Sequence, residues 1–218
     1  MKIIGECGVN WRDISEARLM IDNCKDLGIE YTKFQLYDWS AIKNSPIYNE
    51  LYDRQLTKSL AKALFMYGES IGQKVFFTPM FLEAVDWCED IGVEIYKIRY
   101  NDRYNIDLIN KIIATNKKII MSIDQHYDPG PYLSEKIRFL FCVPKYPATL
   151  LDYYAMNEIK GDVLPLSGVS DHTKTLELFV LMRQSPLEYY EKHIMLDGSH
   201  PIEEAWSIEF SKLKKAKI

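Results

Sequence analysis

Little in this sequence points toward a membrane, a nucleic acid or a redox centre. Its 218 residues carry 27 Lys and Arg against 31 Asp and Glu, a net charge of −4, so no global positive field gathers nucleic acid or an anionic membrane. A phosphate-bearing ligand has to be held locally. No apolar run approaches the roughly 20 residues that cross a bilayer, and MKIIGECGVNW holds too short an apolar stretch for a secretory signal. The expectation is a cytoplasmic protein whose partners include neither nucleic acid nor membrane. The four cysteines, Cys7, Cys24, Cys88 and Cys142, are scattered without a C-x-x-C pair. That removes zinc-ribbon and thioredoxin-like readings and leaves reduced thiols filling small core sites. No G-x-G-x-x-G follows the first strand candidate, so a dinucleotide site lacks its fingerprint.

What the chain does have is alternation. Strand candidates recur at KIIGE (2–6), YTKFQLY (31–37), KVFFTPM (74–80), EIYKIRY (94–100), KIIMSID (118–124), RFLFCV (138–143), DVLPLSG (162–168) and EYYEKHIML (188–196). Between them, patterns with apolar residues three and four apart predict helices: ISEARLMIDNCKDLG, LTKSLAKALFMYGESIG, FLEAVDWCEDIG, IDLINKIIATN, LLDYYAMNEIKG and TKTLELFVLMRQ. Gly28, Gly72, Gly92 and Gly161 each stand where a helix closes before a strand, a place for positive φ. Eight strands trailed by helices predict an α/β fold, a compact (β/α)8 TIM barrel, whose parallel strands are covered on both faces and so read as apolar runs. A doubly wound open sheet is the competing arrangement. One domain over residues 1–218 is the default at this length. Residues 38–53 form a polar and aromatic insertion with the character of a lid, and DQHYDPGPYLSEK after the fifth strand is a shortened region without room for a full helix.

In such a barrel, chemistry belongs to the C-terminal strand ends. Those positions hold Glu6 with Asn10, Lys33 with Gln35, Thr78, Lys97 with Asp102, Ser122 with Asp124, Lys145 with Tyr146, Ser170 with Asp171 and His172, and Glu191 with His193. Lys33 and Lys97 sit inside otherwise apolar runs, YTKFQ and IYKI. Burying an ammonium group costs several kcal/mol unless an anion partners it. A bound phosphate, with the Thr78 and Ser122 hydroxyls completing its shell, would satisfy both lysines. Two of the four histidines each follow a short apolar run beside a carboxylate, in GVSDHT and YYEKHIMLD.

GECGVN (5–10), TKFQ (32–35), FFTP (76–79), EAVDWCEDIGVEIYKI (83–98), KKIIMS (117–122), KYPA (145–148), GVSDHT (168–173) and EKHIMLD (191–197) together resemble, in order and spacing, the sialic acid synthase (NeuB-like) family. The resemblance runs from residue 3 to about residue 213. It implies condensation of phosphoenolpyruvate with an amino sugar of the N-acetylmannosamine kind, giving phosphate and a nonulosonic acid. By the same resemblance His172 and His193 hold a divalent metal, Mn2+ or Mg2+, which suits two neutral imidazoles with open positions for substrate oxygens. Asp171 and Glu191 are expected to orient these imidazoles. Lys33, Thr78, Lys97 and Ser122 look like phosphoenolpyruvate contacts, with Tyr146 and Ser170 beside them. Glu6, Gln35 and Glu203 look like acceptor-side residues, and Glu6, Asp102 and Lys97 form the catalytic set. Asp102 falls where the family has a glutamate near the reacting carbons, a candidate for proton transfer.

Several positions depart from the family pattern. Asn10-Trp11 replaces Asn-His, Arg99-Tyr100-Asn101 replaces a small Gly-Ser-Gly stretch, and Ser122-Ile123-Asp124-Gln125 replaces Ser-Thr-Gly-Met. Phe141-Cys142-Val143-Pro144 stands for His-Cys-Thr-Ser, and Ile202-Glu203-Glu204 stands for Gly-Pro-Asp-His. Arg99 brings bulk where backbone amides would approach phosphate, and brings charge. The family's small C-terminal antifreeze-like (SAF) domain has no counterpart in these 218 residues. Trp39, Tyr48 and Tyr52 in the insertion are candidates for a substitute cover or a homodimer face. The alternatives are a non-condensing relative that binds a sugar phosphate or a partner protein, and a sibling barrel acting on an aldose phosphate.

Overall fold

The computed structural model describes residues 1–158 and 166–216. Eight parallel strands run β1 (Lys2–Gly8), β2 (Tyr31–Leu36), β3 (Lys74–Pro79), β4 (Ile95–Ile98), β5 (Lys118–Ile123), β6 (Ile137–Cys142), β7 (Leu166–Asp171) and β8 (Tyr189–Met195). Each pairs with its sequence neighbour, and β1 pairs with β8, which closes the barrel. The open-sheet alternative falls with that closure. A two-residue strand, β9 (Ile208–Glu209), adds to the end of β8.

The helices lie outside. α1 (Ile14–Asp26) starts where the Asp13 carboxylate accepts the amides of Ser15 and Glu16, and it buries Ala17, Met20, Ile21 and Cys24. The insertion after β2 folds into α2 (Trp39–Ile42) and α3 (Tyr48–Tyr52). Ile42 and Leu51 pack with Val9, Tyr37, Met80 and Ile202, which holds the insertion over the mouth side of β1 and β2. α4 (Lys58–Ile71) and α5 (Leu82–Ile91) each stop at a left-handed glycine, Gly72 and Gly92. α6 (Ile106–Ala114), α7 (Glu177–Met182) and α8 (Phe210–Lys215) complete the layer. After β5 there is one 3-10 turn, Gly130–Tyr132. The helical pattern after β6 is a 3-10 segment, Leu150–Glu158, rather than an α-helix. Leu150, Tyr153 and Met156 recur every third residue and pack as one edge against Phe141, Val169 and Tyr190, the periodicity of a 3-10 turn.

Residues 162–165 of DVLPLSG, and the helix stop at Gly161, lie outside the described residues, and the described part of the seventh strand starts at Leu166. The strand continues through Ser170 and Asp171, which pair with Glu191 and Lys192 of β8. Ser170 ends the strand's inner face at the polar mouth, while Asp171 points to the other face and pairs with Lys192.

Alternation along each strand divides the barrel interior into two storeys. The lower is apolar: Ile4, Phe76, Ile120, Leu140 and Tyr189 are buried, and Tyr31 contacts Phe76 and Tyr189 ring to ring at 5.8 and 6.4 Å. Gly168 belongs to this storey because a Cβ there would collide with the Tyr189 carbonyl and the Leu140 side chain. Two residues further along each strand, the inward positions become Glu6, Lys33, Thr78, Lys97, Ser122, Cys142, Ser170 and Glu191.

Candidate active site

Above the apolar plug, a cavity of about 290 Å³ opens at the C-terminal mouth. Its lining includes Glu6, Lys33, Gln35, Thr78, Lys97, Ser122, Tyr146, Ser170, His172, His193 and Glu203, every residue expected to be catalytic, substrate-binding or metal-binding except Asp102.

The floor is an alternating set of charges. Lys33 Nζ donates to Thr78 Oγ1 at 3.0 Å, touches the Glu6 carboxylate, and lies 3.7 Å from Glu191 Oε2. Lys97 Nζ donates to Ser122 Oγ at 2.6 Å and lies 3.5 Å from Glu191 Oε1, which also accepts from Ser170 Oγ at 2.7 Å. Two ammonium groups thus face two carboxylates, the condition under which such charges survive burial. Desolvation pushes Lys33 down to about 8, with Glu191 pulling the other way and Lys97 adding to the depression. Burial on its own would raise Glu191, but the two lysines outweigh it and hold the carboxyl below its ordinary value.

The imidazoles of His172 and His193 meet at this mouth with ring centroids 5.4 Å apart. His172 Nδ1 is 2.8 Å from the Val143 carbonyl, an acceptor, so Nδ1 carries the hydrogen and Nε2 keeps a lone pair. His193 Nδ1 is 3.0 Å from Glu203 Oε2, an acceptor that turns Nδ1 and its hydrogen away from the cavity and leaves Nε2 on the other side of the ring. Burial, followed by the neighbouring His193, pushes His172 down to about 3, so its ring is neutral at ordinary pH. Tyr153 fixes the backbone beneath it: its hydroxyl accepts from the His172 amide at 2.9 Å and donates to the Ser170 carbonyl at 2.7 Å. Tyr146 lies over His172 at 4.3 Å between centroids, and Trp206 stands edge-on to Tyr146 at 5.2 Å.

The donor set therefore presents two outward lone pairs. Among the described residues no three His, Cys, Asp or Glu side chains form a metal-binding group. Two imidazole nitrogens on one cavity wall are a donor chemistry that a divalent ion with open positions takes.

Three expectations need correction or redistribution. Asp171 does not orient an imidazole: it faces the outer layer, where it pairs with Lys192 at 3.2 Å and accepts from Tyr190 and from the Thr173 amide. Glu191 bridges the lysines instead of holding a histidine. The orienting roles fall to the Val143 carbonyl and to Glu203, which was expected on the acceptor side. Asp102 lies outside the lining; Arg99 Nε donates to its Oδ2 at 2.5 Å, and Arg99, Tyr100 and Asn101 face the cavity. Met80, Cys142 and Trp206 also line it without having been foreseen. Cys142 was legible in principle, two residues beyond the inward Leu140. Trp206 was not, because it reaches the cavity from a 3-10 turn (Glu204–Trp206) with no period to follow. Gly8, at φ +47, permits the arrangement: a Cβ there would collide with Glu203 Oε2.

The NeuB family model matches residues 20–217. N,N'-diacetyllegionaminic acid synthase of Campylobacter jejuni is 28% identical over 225 residues, covering 89% of this chain and 67% of that one. Pseudaminic acid synthase of Helicobacter pylori is 27% identical over 242 residues, covering 98% and 71%. Among solved structures, the N-acetylneuraminic acid (sialic acid) synthetase of Leptospira borgpetersenii superposes with a TM-score of 0.84 at 25% identity, over 99% of this chain and 80% of the other.

Proposed function

The chain belongs to the NeuB family, and on that premise we propose that it condenses phosphoenolpyruvate with an N-acyl amino sugar of the N-acetylmannosamine kind. With one water consumed, the products are a nonulosonic, sialic-acid-like acid and phosphate. Relatives named as legionaminic and pseudaminic acid synthases support the reaction class. The observation that carries it is the meeting, in one cavity, of two imidazoles with free Nε2 lone pairs and two buried lysines flanked by hydroxyls.

In this reading Lys33 with Thr78 and Lys97 with Ser122 and Ser170 bind the anionic substrate. Its charge replaces the water that the lysines lose on burial. Lys97 stabilises the departing phosphate. Glu6, with Gln35 Nε2 3.4 Å from its Oε1, holds acceptor hydroxyls. Tyr146 and Trp206 wall the mouth with aromatic surface. His172 and His193 would hold a divalent ion, Mn2+ or Mg2+, and Glu203 would orient His193. When bound, that ion polarises the acceptor aldehyde toward carbon–carbon bond formation. Phosphoenolpyruvate is a metabolite of the cytoplasm, which is where this reading places the protein.

Phosphate release is the test. With phosphoenolpyruvate and manganese, phosphate should appear only when an N-acyl hexosamine is added, and His172→Ala should abolish it. Absence of release across a panel of such sugars, while the protein still binds metal and phosphoenolpyruvate, would leave a non-condensing binder in its place.

A further inference from the structure

Lys97 lies in β4 and Arg99 one residue past its end in extended backbone, so the alternation carries both inward, and both line the cavity. The floor beneath them is already balanced: Lys33 meets Glu6 and Lys97 meets Glu191. A phosphate ester brings close to two negative charges at neutral pH and three acceptor oxygens. The Glu191 carboxylate divides the donors into two groups. On its Oε2 side stand Lys33 and Thr78, a point charge and a hydroxyl that suit a planar carboxylate. On its Oε1 side stand Lys97 and Ser122, with Ser170 donating to Glu191 itself, and Arg99 follows Lys97 by two residues on the cavity wall. That richer end suits a tetrahedral group, and a guanidinium fork binds phosphate in bidentate fashion.

Arg99 is also the cation best placed to turn toward an arriving ligand, with its side chain 36% exposed against 2% for Lys97. Asp102 holds its Nε at 2.5 Å and its Nη2 at 3.5 Å, which leaves Nη1 without a protein partner among the described residues. The turn that carries the pair is itself pinned. The Arg103 guanidinium lies 3.6 Å over Tyr100 and 4.5 Å over Tyr104, and it reaches Asp124 at 3.4 Å. Tyr100 donates to the same Asp124 carboxylate at 2.5 Å. A clamp held from both sides loses little freedom on binding.

We propose that Arg99 grips the phosphate of phosphoenolpyruvate and that Asp102 is its positioning residue, not an acid or base acting on the reacting atoms. The inference rests on the condensing function above, and it replaces the small-residue, backbone style of phosphate contact in the family with a side-chain one.

Calorimetric titration of phosphoenolpyruvate, inorganic phosphate and pyruvate into the intact chain tests it. Arg99→Gln should weaken phosphoenolpyruvate and phosphate in parallel, on the order of ten- to hundredfold, and leave pyruvate unmoved, with Arg99→Lys falling between. Asp102→Asn should raise KM for phosphoenolpyruvate more than it lowers kcat and keep both limbs of the kcat pH profile. Equal phosphoenolpyruvate affinity in wild type and Arg99→Gln overturns the proposal, as does a pyruvate loss matching the phosphate loss. So does an Asp102→Asn variant that binds normally but loses kcat together with one limb of the profile. Those failures leave the condensing function standing. A wild-type chain that binds no phosphoenolpyruvate overturns both.

Discussion

Raising the pH from about 7 to about 9.5 should move two properties of this protein in opposite directions through one side chain, Lys33. Burial depresses its ammonium from 10.5 to about 8, with Glu191 and Glu203 opposing and Lys97 reinforcing the shift. Because the folded value lies below the unfolded one, the charged form is a penalty on folding that is complete below about pH 8. It is relieved as the pH rises from about 8 toward 10.5. Two and a half pK units correspond to about 3 kcal/mol of stability regained over that window, an order-of-magnitude figure. Ligand binding runs the other way. About nine in ten Lys33 side chains are protonated near pH 7 and about one in ten near pH 9, while a phosphate ester, whose second pKa is near 6, is already about nine-tenths doubly ionised at pH 7 and gains little above it. Phosphoenolpyruvate affinity should therefore fall roughly tenfold between those values, while the unfolding free energy regains about one pK unit of this contribution, ~1.4 kcal/mol, and the rest as the pH rises further toward 10.5. Calorimetry for affinity and urea unfolding for stability, each repeated at half-unit pH steps, read the two trends. Lys33→Met supplies the control, since it should flatten the binding trend and remove the alkaline stability gain. Affinity that holds constant from pH 7 to 9, or a break that survives in Lys33→Met, would refute the assignment of a depressed, ligand-facing lysine.

Glu203→Gln keeps the shape against Gly8 but weakens the hold on His193 Nδ1, so manganese affinity read by electron paramagnetic resonance should drop about 10- to 100-fold with little change in the unfolding midpoint. His193→Ala should abolish manganese binding in the same assay, while phosphoenolpyruvate still binds the lysine floor. Asp171→Asn breaks a pair with Lys192 that is fully buried; the expected cost is about 3–5 kcal/mol, seen as a lowered urea midpoint. Gly168→Ala should destabilise by about 1–3 kcal/mol through overpacking of the lower storey, with metal affinity retained in the folded fraction.

The barrel was readable because its strands are covered on both faces, so each appears as an apolar run broken only where function requires. Lys33 and Lys97 stood out for that reason: an ammonium in YTKFQ or IYKI has no cheap structural explanation. The ends of strands were less readable than their middles. β4 stops at Ile98, short of the expected Tyr100, because Asp102 and Arg103 close a 3-10 turn there. β7 runs on into Ser170 and Asp171 because β8 offers Glu191 and Lys192 as ladder neighbours. Roles that depend on tertiary approach were not readable at all. Nothing in the spacing of Val143, Glu203 and Trp206 shows that a carbonyl comes to the two histidines from the connection after β6, and a carboxylate and an indole from the connection after β8.

Three consecutive ionisable residues of β8, Glu191, Lys192 and His193, make the point at its sharpest. Read as a string they suggest one charged cluster, with the glutamate serving the histidine two places on. The pleat separates them: Glu191 and His193 face the cavity, while Lys192 faces the helical layer and takes Asp171 with it. The inner carboxylate is then free to balance two lysines from other strands, and the outer pair ties β8 to β7 behind the site. Slipping β8 by one residue would put Lys192 against Lys33 and Lys97 and leave Glu191 and His193 among apolar side chains. The buried charges are thus tolerable in one register only, and that register is the one that brings the two imidazoles together.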